Sequence, residues 1–239
     1  MVRLRRVLTH FQENAGGPSF TSGRGWRREQ CDAVYSNTSR VMAITFMSDP
    51  IQAVLRTLVD SRLLLKQDKR VPNVVTLLTG ESLHTSWWSH PKAHLIFAAL
   101  SQLSVHPDVL FTKLLYGKVT LVHRNLWPAF LAVATANEPW QLHGLSTPGR
   151  RLLAAVKESE ARVRCSGKAV KELELRLLVH AEEVHTESGH HELMVESWKV
   201  WSRRAGTHAM RSTAGARKQL EGAVKAIGAC TSALPWASA

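Results

Sequence analysis

The chain has 239 residues, enough for one large domain or two small ones, and its 44% hydrophobic and 21% charged residues are ordinary for a globular protein. A net charge of +12 favours polyanionic partners, nucleic acid first. Three widely spaced cysteines (Cys31, Cys165 and Cys230) exclude a secreted disulfide framework, and no apolar run approaches the ~18–20 residues needed to span a bilayer. A cytoplasmic protein without a membrane partner is expected.

Residues 1–46 differ from the rest. They hold seven Arg and no Lys against Glu13, Glu29 and Asp32, which leaves +8 of the net charge on residues 47–239. With the stretch AGGPSFTSGRG and no apolar period, they read as a disordered basic extension: a tail, residues added by an upstream start codon, a basic arm, or an Arg- and Ser-rich targeting peptide. Ser48 and Pro50 then mark a helix start, and Ile51, Val54, Leu55, Leu58 and Val59 predict an amphipathic helix over 49–66. Residues 73–79, NVVTLLT, read as a short strand ended by Gly80. Pro91 precedes a helix to about 104, and residues 109–123 form a hairpin turning at Tyr116-Gly117-Lys118. A helix over 125–136 completes an N-terminal unit spanning 47–145.

Ser146-Thr147-Pro148 is a hydroxyl cap followed by first-turn Pro, and predicts a helix to about Glu160. An extended piece at 161–165 comes next, then a second helix capped by Ser166, strands at 181–186 and 191–197, and a helix from Trp198 to about Arg204. A last amphipathic helix covers 212–228, after which Pro235 and Trp236 lie on the body. The expected fold is α+β and mostly α, with a winged-helix-like unit (helix, short strand, helix, hairpin) in 146–239. Val105-His106, Thr112, Gly117 and Trp127 recur as Val179-His180, Thr186, Gly189 and Trp198 at nearly equal spacing. Two such units in tandem, or a chance match, both account for this.

The region from about Ser82 to Trp201, through WWSHPKAH, DVLFTKLLYGKVTLVHRNLWPAFLAV, EPWQLHGLS and VHTESGHHELMVESWKVW, resembles an uncharacterised bacterial family of winged-helix-like proteins. The resemblance implies a fold and no activity. A weaker similarity runs to bacterial DNA glycosylases built from tandem winged helices. Their catalytic Gln-x-Gln is absent here, so no catalytic residue carries over.

In a winged helix the second helix enters the major groove. The candidate DNA contacts are therefore Lys168 and Lys171 on that helix, Arg150 and Arg151 on the preceding one, Arg162 and Arg164 beside the extended piece, and His190 at the wing tip. The helix N-termini at Ser146 and Ser166 would add backbone donors for phosphate. Against this stand Glu172 and Glu174 on the same helix, and Glu182, Glu183, Glu187, Glu192 and Glu196 along the wing. His90 and His94 lie four apart but lack the Glu of HExxH, and no metal or cofactor is expected. Most of the Trp residues read as core; of the adjacent Trp87 and Trp88, one must point differently from the other. The function expected is a non-catalytic, regulatory or repair-associated binder of double-stranded DNA. The alternatives are a protein-interaction module and a nucleic-acid-modifying enzyme.

Overall fold

The computed structural model describes residues 50–165, 167–185 and 191–238, which all belong to one compact unit. The chain is mostly helical, with two small antiparallel sheets, as an α+β reading requires. The predicted extension, the Ser48 and Ser166 caps and the His190 wing tip lie outside the described residues.

The first half runs α1 (Pro50–Ser61), β1 (Leu63–Leu65), α2 (Val74–Thr79), a 3-10 turn at Trp87–Ser89, α3 (Ala93–Ser104), β2 (Val109–Leu115) and β3 (Lys118–His123). Two expectations fail here. The helix predicted over 49–66 ends at Ser61, because Arg62 takes a left-handed φ of 62° and turns the chain into β1. Residues 73–79 are helix rather than strand. The Asn73 side chain accepts from Thr76 N at 2.9 Å, and Gly80 closes the helix with φ 85°. These end caps outweigh the β-branched composition of a run too short for periodicity to decide.

β1 pairs with β3 through Leu63↔Val122, Leu64↔Leu121 and Leu65↔Thr120, and its three leucines are fully buried. Alternation explains this. Leu64 enters a core with Val54, Leu58, Val75, Ile96 and Leu103 of α1–α3, whereas Leu63 and Leu65 point into a second core on the other face of the sheet.

The connection holds α4 (Trp127–Ala134) and α5 (Pro139–Leu142). α4 is buried at every residue but Pro128, which sits in its first turn. A helix apolar all round belongs at the centre of a protein. The second half is α6 (Thr147–Glu158), β4 (Val163–Cys165), α7 (Lys168–Leu175), β5 (His180–His185), β6 (His191–Glu196) and α8 (Trp198–Ala205). α9 (Thr213–Ala226) lays Ala216, Leu220, Ala223 and Val224 into the core shared with α4, and Trp236 closes it.

The sheets have one strand order, β1-β3-β2 and β4-β6-β5, so each half places its first strand beside the last strand of its hairpin. Of the five positions matched in sequence, Thr186 and Gly189 lie outside the described residues. Trp127 and Trp198 take the same place, the first residue of α4 and of α8. Each indole donates to a backbone carbonyl, of Val122 and of Leu177 respectively. His106 and His180 differ: the first accepts from Asp108 N, the second is buried against Glu196.

The helices that follow the hairpins meet in a reciprocal clasp. Trp127 of α4 packs edge-on to Trp201 of α8 at 5.0 Å and 75°, and Phe130 of α4 packs edge-on to Trp198 of α8 at 4.8 Å and 76°. The first aromatic of each helix meets the aromatic three residues further along the other, as a local two-fold axis requires.

Candidate nucleic-acid interface

α7 is the centre of the candidate interface. Val170 and Leu173 anchor it in a core with Leu153, Val156 and Val195, which leaves Lys168, Lys171 and Leu175 on the outer face at helical spacing. Lys168 and Lys171 have no side-chain partner among the described residues.

Both acids of α7 are turned inward. Glu172 accepts from Ser146 N at 2.9 Å and from Ser146 Oγ at 2.6 Å. The same hydroxyl accepts from Gly149 N at 3.0 Å and so caps α6. These hydrogen bonds from the Ser146 hydroxyl and backbone, with Arg176 and Arg150 nearby, hold the Glu172 carboxyl below its ordinary pKa. At the N-terminus of α6 the N–H and hydroxyl of Ser146 are therefore taken by the chain's own carboxylate, and Gly149 N by the Ser146 hydroxyl. Gly149 leaves room for this arrangement: a Cβ would lie 2.5 Å from the Glu172 carboxylate, which would have to shift. Glu174 pairs with Lys113 of β2, and Leu175 lies over the β2–β3 turn, 2.8 Å from where a Gly117 Cβ would be.

The remaining predicted contacts divide. Arg151 is exposed on α6 with no partner among the described residues, and Arg164 is exposed on β4. Arg150 is exposed too, but its guanidinium donates to Leu145 O and Thr147 Oγ1, closing its own turn. Arg162 is half-buried and ion-paired with Glu182 of β5. Lys168, Lys171 and Arg151 thus form the available basic set, with Arg164 exposed beside them on β4, while Arg150 and Arg162 are largely committed to the fold.

Two of the wing acids, Glu182 and Glu196, are less exposed than their sequence suggests, whereas Glu183 is exposed. Glu182 is paired with Arg162. Glu196 is fully buried, bonded to His180 Nδ1 at 3.0 Å and ion-paired with Arg204. Burial pushes the Glu196 carboxyl up, but the hydrogen bonds from His180 and Arg204 outweigh it and hold the group below its ordinary pKa. Glu187 and the side chain of Glu192 lie outside the described residues.

A second feature was only half legible. Trp87 is buried, whereas Trp88 is 63% exposed, stacked on Trp87 at 4.0 Å and beside Phe97 of α3, itself 42% exposed. Around them, the loop after β1 and the β2–β3 turn enclose two adjoining shallow grooves of about 520 and 570 Å³, which share Gln67 and Lys118. Reading residues 49–66 as one helix hid this, since Lys66, Lys69 and Arg70 then end a helix instead of lining a groove. Among the described residues no cluster of three or more His, Cys, Asp or Glu could hold a metal, and His90 is engaged by Glu81 and by Lys92 N.

No family model, curated protein or solved structure matches the chain, so its function is read from its own residues. No helix among the described residues is long and apolar enough to cross a membrane.

Proposed function

We propose that this chain is a non-catalytic protein that binds double-stranded DNA through a winged-helix arrangement in its second half, in a regulatory or repair-associated role, in the cytoplasm. The observation that carries the reading is the outer face of α7, where Lys168 and Lys171 are free and the two acids of the same helix are consumed by Ser146 and Lys113. The order of α6, β4, α7 and the β5–β6 hairpin presents that face as a winged helix presents its reading helix. Arg151 and Arg164 add positive charge on the neighbouring elements. The thiols of Cys165 and Cys230 are free, in keeping with a reducing compartment.

The test is fluorescence anisotropy of the full chain with a random-sequence duplex of about 30 base pairs, roughly three helical turns, over a range of salt. Binding at micromolar concentration or tighter should weaken steeply with salt. The Lys168→Glu/Lys171→Glu variant should lose most of it and flatten the salt slope by about one for each phosphate contact removed. No binding at low salt would overturn the reading. The second reading is a protein-interaction module, and the exposed Trp88–Phe97 pair favours it. It predicts a protein partner captured by wild type and lost on Trp88→Ala, with no affinity for duplex.

A further inference from the structure

The groove around Trp88 sits at the end of the α7 stripe. Along α7, Lys168 and Lys171 lead to Leu175, which touches the β2–β3 turn at Gly117, and Gly117 and Lys118 form a wall of the groove. Lys113, paired with Glu174 of α7, forms another part of that wall. A strand held on α7 is therefore delivered to the groove without leaving the protein surface.

This groove and the one adjoining it combine two recognition chemistries. The first is a stacking platform. The Lys66 ammonium lies 5.5 Å from the Trp87 ring centre, Trp87 stacks on Trp88 at 4.0 Å and 25°, and most of the remaining Trp88 surface is open. A tryptophan braced in this way offers an aromatic surface to any base and needs no particular sequence. The second is a rim of cations in the adjoining groove, which is lined by Lys69 and Arg70 and shares Gln67 and Lys118 with the Trp88 groove. Lys69 and Arg70 are exposed with no side-chain partner among the described residues, and Lys118 is half-exposed despite its ion pair with Asp68. The opposing charges are Asp68 on Lys118, Glu174 on Lys113 and Glu183 near Lys66, which leave Lys69 and Arg70 uncompensated. A wholly apolar partner would gain nothing from that rim, whereas a phosphodiester strand matches it.

We propose that this groove takes an unpaired nucleobase stacked on Trp88, with the adjoining phosphates on Lys69, Arg70 and Lys118. The preferred ligand is then DNA in which duplex runs into an unpaired segment. This rests on the duplex-binding reading of α7 and extends it to the structure of the substrate.

The test uses the full chain with three labelled probes: a blunt duplex, the same duplex with a single-stranded overhang of about ten nucleotides, and the overhang strand alone. The overhang probe should bind about tenfold tighter than the blunt duplex and quench tryptophan fluorescence. Trp88→Ala should abolish that gain and leave blunt-duplex affinity unchanged, and Trp88→Phe should keep most of it. Lys69→Glu/Arg70→Glu should also abolish the gain without touching the aromatic pair. Equal binding of blunt and overhang probes would overturn the proposal and leave the duplex reading standing. Retention of the gain in Trp88→Ala would overturn it as well. Binding to none of the probes would sink both readings. Capture of a protein partner through Trp88, with no preference for the overhang, would reassign the groove to that partner.

Discussion

The helices that precede the two hairpins, α3 and α7, occupy comparable places but turn opposite chemistry outward. α7 shows Lys168 and Lys171; α3 shows His94, Phe97, Ala98 and Ser101, with Val105 just past its end. The inward faces are alike, each contributing aliphatic residues to a core beneath a three-stranded sheet. A shared element order therefore fixes where a helix lies, while its outer face is left to be specialised. On the proposed reading the second half would hold the duplex and the first half would contribute the aromatic groove.

The largest effect should come from breaking what holds the halves together. Trp198→Ala removes a buried ring that packs on Phe130 and Trp201 and donates to Leu177 O. It should cost about 3–5 kcal/mol, with cooperative unfolding of both halves by calorimetry. If only the second half melts early, the shared core does not couple them.

The comparison of outer faces is sharper in binding. Lys168→Glu/Lys171→Glu should weaken duplex binding by about 2–3 kcal/mol, roughly 30- to 150-fold, while changing stability by no more than about 0.5 kcal/mol. Placing acids on the outer face of α3 by His94→Glu/Ser101→Glu should change duplex affinity less than about threefold, roughly 0.7 kcal/mol. Comparable losses from both pairs would make the field of the whole molecule, not the face of α7, responsible for binding. Gly149→Ala should destabilise by about 1–3 kcal/mol in a thermal melt, because its methyl group crowds the Glu172 carboxylate that holds the Ser146 cap of α6.

The smallest effect is in acid. Glu196 has a folded-state pKa below its unfolded value of about 4.3, so its contribution is present above that pH and is lost as the pH falls through the folded value. The melting temperature should drop below about pH 4.3, and should drop less steeply in Glu196→Gln. An identical slope in the two proteins would remove Glu196 as the cause.

The local features of this fold were legible in sequence and the long-range ones were not. Ser146-Thr147-Pro148 announced α6 because a cap and a first-turn proline act within four residues. The β2–β3 hairpin and the buried Trp198 and Trp201 were legible through turn chemistry and helical spacing. β1 was missed because three leucines become a strand only by pairing with β3, more than fifty residues away. In the candidate site, Lys168 and Lys171 follow from periodicity. That Glu172 belongs to Ser146 and Glu174 to Lys113 depends on separations of 26 and 61 residues, which no local pattern encodes.

The aromatic clasp has a consequence for how such a chain can be divided. Trp127 with Phe130, and Trp198 with Trp201, are two copies of one self-complementary face. A protein built from a single unit would need a second molecule to cover it. In this chain the second copy is covalently attached, which makes the association unimolecular and independent of concentration. Cutting the polypeptide between α5 and α6 would restore the bimolecular problem. The two fragments should then find each other through the same four rings, and their reassembly should become dilution-sensitive.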